Sequence, residues 1–163
     1  SDTLPTIDLL YNTSEGHQKL AQAIQQMWKT TLGIEVTLTN TDWKVYLSRQ
    51  SIGDFQIARA GWIGDYIDPK SFLDMMVTGR GNNQTGWSNK EYDNLLVKAS
   101  NSTSQQERFN YFYEAEKILI DEMPIIPIYT YTRIYMLHED VQGWGNNILD
   151  SRPYQFVYLE NKN

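Results

Sequence analysis

Gln56-Ile57-Ala58-Arg59-Ala60-Gly61-Trp62-Ile63-Gly64-Asp65-Tyr66-Ile67-Asp68-Pro69 reads as an extended run, a charged loop and the start of a helix. Residues 55–62 favour extended backbone, and small Ala60 and Gly61 follow Arg59 directly, so the main chain there can lie close against another molecule. Asp65 falls where the strand gives way to the loop, and Asp68-Pro69 offers a cap and a first-turn proline for the helix. Loops at strand ends are where α/β proteins present ligand contacts, because backbone groups come free there while the sheet behind fixes them. Arg59 and Asp65 have a plainer reading as well, an ion pair with each other or with neighbours.

Outward from this stretch, strands and helices alternate. Residues 7–11 predict a strand ending at Asn12-Thr13-Ser14, where Thr13 or Ser14 caps a helix with Glu15 in its first turn. Leu20, Ala23, Ile24, Met27, Trp28 and Thr31 recur at helical spacing up to the stop at Gly33, and Ile34, Val36 and Leu38 then alternate as a half-buried strand. Asp42 caps a second helix to about Arg49, and Gly53-Asp54 turns the chain into the central run. Downstream, Phe72, Leu73, Met76 and Val77 predict a brief amphipathic helix before the polar loop Gly79-Arg80-Gly81-Asn82-Asn83. Ser88 with Glu91 and Ser104 with Glu107 form two capping boxes. They open one helix through Leu96 and another carrying Phe112, Ala115, Ile118 and Leu119 to near Pro124. Residues 125–137 are the longest extended candidate, and residues 154–159 predict a last strand. The pattern predicts an α/β fold with a helix pair inserted before the final strands.

A chain of 163 residues is about the size of one domain, with enough apolar content to bury a core. It has no cysteine, which excludes a disulfide framework, a thiolate metal site and a cysteine nucleophile. A net charge of -6 and a pI near 4.8, with no basic run, argue against nucleic acid or an anionic membrane surface as partner. No apolar stretch approaches the roughly 20 residues that span a bilayer, and the first residues lack a signal-peptide pattern.

The two histidines, His17 and His138, have no ligand partner at metal spacing, so neither a metal site nor another cofactor is expected. Nucleophile-elbow, phosphate-loop and dinucleotide signatures are missing, and Asp68 beside Asp65 is better explained as a cap than as half of a catalytic pair. No catalytic residue is assigned. His17 reads first as an exposed polar residue of a helix's first turn, and second as a donor facing a ligand anion. Trp43 and Trp62 suit either the core or the walls of a pocket. The tyrosines of residues 129–135 read first as a sheet face.

Several ordered motifs agree from end to end: Leu10-Tyr11-Asn12-Thr13-Ser14 with His17, Trp43-Lys44, Ala58-Arg59-Ala60-Gly61-Trp62 with Asp65-Tyr66 and Pro69, Asn82-Asn83, and Ile126-Pro127-Ile128-Tyr129. With these the chain resembles the periplasmic oligopeptide-binding proteins of ABC importers, within the family of peptide- and nickel-binding extracellular solute receptors. The resemblance implies an α/β fold, a single lobe of a two-lobed type II periplasmic-binding-protein architecture with a mixed sheet and packed helices. Family members are much longer. Residues 1–140 would be most of the second, C-terminal lobe, and residues 141–163 a return into the first.

The implied role is that of a non-enzymatic, monomeric substrate-binding component that holds oligopeptides in extended form and delivers them to membrane permease subunits. Its expected location is the periplasm, or the outer face of the cell membrane if lipid-anchored. By the same resemblance Asp65 matches the acid that meets a peptide's α-amino group, and Arg59 and His17 match residues placed for a carboxylate end. Trp43, Trp62 and Tyr131 match pocket-lining aromatics, and the backbone of Ala60, Gly61 and Ile63 matches groups that bond an extended peptide as an added strand. Ile67 departs from the pattern, in which a polar residue or proline follows the tyrosine. The alternatives are a receptor for dipeptide, nickel, haem or oligosaccharide, a lobe kept for protein–protein contact, and a peptidase, although no nucleophile, metal site or activated base accompanies the carboxylates.

Overall fold

Leu9, Leu10 and Tyr11 are all buried, the mark of a strand covered on both faces. They lie in β1 (Ile7–Asn12), the centre of a parallel three-stranded sheet in the computed structural model, which describes residues 6–145, 147, 149 and 151–160. β1 pairs along its whole length with β2 (Val36–Thr41), and through Leu9 and Leu10 with β3 (Ile57–Ala58), giving the order β2-β1-β3. The crossovers are α1 (Glu15–Leu32) and α2 (Trp43–Ser51). Leu9 and Tyr11 join Ala21 of α1 and Val36 of β2 in one core, with Ile24, Trp28, Ile34, Leu38 and Ile57 packed around it. Leu10 points to the opposite face and is fully buried, as is nearly all of Tyr46 of α2. Each such aliphatic side chain contributes about 1.5–3 kcal/mol by leaving water.

α1 buries a stripe through Ala21, Ile24 and Trp28, whereas Ala23, Met27 and Thr31, expected on the same face, are exposed. Residues one position away from the stripe lie about 100° round the helix, so apolar identity alone did not fix its phase. Gln25 of the same helix donates to the Val36 carbonyl at 2.6 Å, tying α1 to β2. The helix stops where expected, at Gly33 with φ +68°, a conformation costly for any residue with a Cβ. Ser14 holds the capping position, but its hydroxyl makes no cap bond. Asp42 does cap α2, accepting from the Lys44 and Val45 N–H groups at 2.9 and 3.1 Å. The extended run expected over residues 55–62 shortens to two paired residues, because β3 meets a partner on one side only and its last bond is Arg59 N–H to the Leu10 carbonyl, 2.8 Å.

The chain divides into two compact units, Ser1–Trp62 with Gly81–Trp87, which holds this sheet, and Ile63–Arg80 with Ser88–Asn163. Their border does not fall at 140/141, because that expected division concerns the longer protein rather than this chain's own packing. The second unit contains α3 (Lys70–Leu73), a 3₁₀ turn at Asp74–Met76, α4 (Lys90–Asn101) and α5 (Gln105–Glu122). α4 and α5 pack on each other, burying Tyr92, Leu96 and Ala99 of one and Phe112, Ala115 and Leu119 of the other. The fully buried Tyr92 hydroxyl donates to the Leu73 carbonyl at 2.5 Å, so α4 also holds α3.

Asn89, not Ser88, caps α4, accepting from Glu91 and Tyr92 N–H, while the Ser88 hydroxyl is engaged by Thr78. Ser104 caps α5 as expected, but the Glu107 carboxylate accepts from Ser102 instead of closing the box. Residues 125–137 form no strand. A strand needs a hydrogen-bonding neighbour, none occurs among the described residues, and Ile134 and Met136 are 92% and 99% exposed. The last strand expected over 154–159 is a 3₁₀ turn, Tyr154–Phe156, followed by the short β5 (Tyr158–Leu159), antiparallel to β4 (Val141–Gln142). The fold is α/β with packed helices, its parallel and antiparallel pairings lying in two separate small sheets. Among the described residues no helix is long and apolar enough to cross a membrane.

Candidate functional site

Strand order reverses between β1 and β3: the chain leaves β1 for β2 on one side, then returns past β1 to β3 on the other. With right-handed crossovers α1 and α2 cover opposite faces, and the carboxyl ends of β1 and β3 are left open where ligands characteristically bind. Asn12 ends β1, His17 follows in the first turn of α1, and Arg59 follows β3. His17 Nδ1 lies 3.4 Å from the Asn12 carbonyl. Burial, and then the charge of Arg59, hold the imidazole below its ordinary 6.5, with the Asn12 carbonyl partly opposing, so it is mainly neutral at pH 7.

Arg59 is fixed through its backbone. Its N–H donates to Leu10 and its carbonyl accepts the Tyr46 hydroxyl at 2.6 Å. Burial pushes the Tyr46 hydroxyl up in pKa, with Arg59 partly opposing, which keeps it a donor. Trp43 stacks on Tyr46 with centroids 5.5 Å apart and planes 16° from parallel, yet remains 57% exposed. Ala60 and Gly61 are exposed and make no backbone hydrogen bond with the described residues of their unit, and Trp62 is half-buried. A guanidinium carried on a fixed backbone, a neutral imidazole and an exposed aromatic face suit an anionic end group carried on an organic chain.

In the second unit Asp65 is exposed, and its carboxylate forms no hydrogen bond or ion pair with the described residues of that unit. Its N–H donates to the hydroxyl of buried Ser71 at 2.7 Å. At Gly64 a Cβ would lie 3.0 Å from the Phe72 ring and 3.4 Å from Ser71 Oγ, tighter than ordinary contact. Asp68 accepts from Lys70 N–H at 2.9 Å, but Pro69 takes the capping position itself instead of lying in the first turn behind an Asp68 cap. It also accepts a bidentate pair from Arg108 at 2.7 and 2.8 Å, and these bonds hold its carboxyl below the usual range. Arg108 in turn lies over the Phe112 ring at 4.6 Å. Burial and the charges of Asp74, Asp68 and Asp65 raise the pKa of Tyr66 between them. Ile63 is exposed, without a backbone bond to the described residues of its unit. Tyr131 is exposed and packs edge-on to Tyr129 at 4.9 Å, on irregular backbone rather than on a sheet face.

Of the residues singled out in the sequence, His17, Arg59 and Trp43 converge in the first unit, with Ala60, Gly61 and Trp62 continuing from Arg59. Asp65, Ile63 and Tyr131 belong to the second. Sequence reading missed Tyr46, Ser71 and Arg108. Tyr46 carried a signal, standing three residues after Trp43 on one helix face. Arg108 carried none, because its partner is 40 residues away.

Residues 1–84 match the family model described as "Bacterial extracellular solute-binding proteins, family 5 Middle". The chain is 44% identical over 140 residues to the dipeptide-binding protein DppE of Bacillus subtilis, covering 86% of this chain and 26% of that one. Among solved structures it resembles the murein tripeptide binding protein MppA of Escherichia coli, with a TM-score of 0.87, 38% identity, and coverage of 94% of this chain and 30% of that one. It also resembles Listeria monocytogenes OppA bound to peptide, with a TM-score of 0.81, 30% identity, and coverage of 96% and 30%. The chain thus spans about a quarter of the length of the curated relative it matches. With the family match extending over half its residues, the chain belongs to the bacterial extracellular solute-binding proteins, family 5.

Proposed function

We propose that this chain is part of a receptor that binds oligopeptides in extended form and presents them to the permease subunits of an ABC importer, without chemical change to the ligand. The observation that carries this reading is the edge strand β3, which runs into Arg59 and then into backbone at Ala60 and Gly61 that is unbonded within its unit. An extended peptide takes up such groups as an added strand, gaining affinity with little sequence choice. Arg59 and His17 supply an anion site for a carboxylate, and the uncommitted Asp65 carboxylate suits an α-ammonium group. Trp43 and Trp62 offer apolar surface in the first unit, and Ile63 and Tyr131 offer it separately in the second.

Relatives named for dipeptide and for murein tripeptide binding, and one seen bound to peptide, support this class of ligand. In the longer protein, residues 1–140 would be most of the C-terminal lobe, and residues 141–163 would return to the other. The receptor acts as a monomer in the periplasm or at the outer face of the cell membrane. The test is calorimetric titration of the full-length protein with a peptide library, followed by mass spectrometry of the recovered ligand. Saturable binding with intact peptide is expected. Cleaved peptide would make it a peptidase, and binding of nickel, haem or oligosaccharide in place of peptide would overturn the ligand class.

A further inference from the structure

We infer that Arg108, acting with Ser71, is a positioning residue that aims Asp65 at its ligand; this rests on the reading of Asp65 as the group that meets a peptide's ammonium. The loop 65–71 is closed on itself by four bonds: Asp65 N–H to Ser71 Oγ at 2.7 Å, Asp68 N–H to the Tyr66 carbonyl at 2.9 Å, Lys70 N–H to Asp68 Oδ1 at 2.9 Å, and Ser71 N–H to the Asp68 carbonyl at 3.0 Å. Those bonds set the loop's internal shape, and Phe72 and Leu73 N–H to the Pro69 carbonyl join it to α3. Arg108 adds a side-chain attachment at the loop's own carboxylate: its two guanidinium nitrogens grip both oxygens of Asp68 from an 18-residue helix. A bidentate fork fixes orientation as well as distance, and stacking on Phe112 fixes the fork.

Arg108 has a second effect, on charge. Asp65 and Asp68 stand three residues apart, and each acts on Tyr66, so an ammonium arriving at this loop would find two carboxylates. Arg108 commits Asp68, and Lys70 N–H takes one of the same oxygens, leaving Asp65 as the carboxylate of the pair that is not engaged within the unit. A residue that merely staples the fold would affect every ligand alike. A positioning residue for Asp65 affects only ligands that carry the ammonium.

The experiment measures affinity of the full-length receptor for one peptide with a free and with an acetylated amino end. The proteins compared are wild type, Arg108→Gln, Arg108→Lys, Ser71→Ala and Asp65→Ala. Arg108→Gln and Ser71→Ala should each weaken the free-amine peptide roughly tenfold, the scale seen when a group that orients a ligating side chain is lost. The acetylated peptide should be unaffected. Arg108→Lys, which keeps the charge but not the fork, should fall between, and it carries the test with Ser71→Ala if Arg108→Gln does not fold. Equal losses for both peptides, or no loss for either, in variants where Asp65→Ala does discriminate against the free amine, would overturn the positioning role and leave the Asp65 reading intact. An Asp65→Ala receptor that keeps the wild-type preference would overturn both.

Discussion

Replacing Tyr46 by Phe deletes one oxygen and tests how Arg59 is held. The hydroxyl donates to the Arg59 carbonyl at 2.6 Å from a side chain only 3% exposed, so water cannot take its place without opening α2 from the sheet. A net hydrogen bond contributes about 0.5–1.5 kcal/mol, and stranding a buried acceptor costs about 1–3 kcal/mol, which sets the expected loss at about 1–3 kcal/mol. The aromatic ring and its stack with Trp43 survive in the variant, so packing should change little. Urea titration should show a lower midpoint at unchanged slope. Amide exchange should show faster opening of Arg59 N–H, which is bonded to Leu10 on the other side of the same residue. Trp43→Ala is the control: it forfeits a ring pair of about 0.5–1.5 kcal/mol but leaves the Arg59 carbonyl bonded. A Tyr46→Phe loss under about 0.5 kcal/mol with unchanged Arg59 protection would refute the argument, since no buried hydrogen bond of this kind costs so little to strand.

Three further expectations follow from the geometry. A carboxylate beside His17 would favour its imidazolium, so ligand binding should take up a proton and tighten as pH falls from about 7.5 to 6, and His17→Gln should flatten that dependence in calorimetry across buffers. Without ligand the sign reverses: a pKa held below 6.5 means the fold resists protonation, and stability falls as pH drops from 6.5 to the folded-state value. The Asp68–Arg108 pair has a depressed carboxyl pKa, so its contribution is complete above 3.8 and is lost as pH falls through the lower folded-state value. Arg108→Gln should remove that acid-dependent part and cost about 1.5–3 kcal/mol at neutral pH, as acid titration of the two proteins would reveal. Gly64→Ala pushes a methyl to 3.0 Å from the Phe72 ring and should cost about 1 kcal/mol or more, with Phe72→Ala in the same chain relieving most of the clash in thermal unfolding.

What the sequence made legible is what local chemistry controls. β1, α1, β2 and α2 appear close to their expected bounds because alternation, the Asp42 cap and the Gly33 stop each act within a few residues. The phase of α1 was less legible: Ala21, buried, and Met27, exposed, are both apolar, and only the sheet decides which faces inward. Residues 125–137 alternate like a strand, yet alternation says only that a strand would suit, and pairing requires a neighbour that periodicity does not supply. Arg59 and His17 were chosen by resemblance, and the strand reversal between β1 and β3 gives a physical reason for their meeting that no local window contains. Ser71 and Arg108 act across loops and between elements, and so were invisible until the chain was folded.

The central claim, that Asp65 receives a peptide's ammonium, is tested most directly by a double-mutant cycle in the full-length receptor, pairing Asp65→Ala with acetylation of the peptide's amino end. An enclosed ion pair that loses one partner costs about 3–5 kcal/mol, against about 0–1 kcal/mol for an exposed pair, so either change alone should lower affinity more than about a hundredfold. Making both changes should cost little beyond the first, because one pair is removed in each case. Additive losses, or an Asp65→Ala receptor that binds the free-amine peptide as tightly as wild type, would contradict the account.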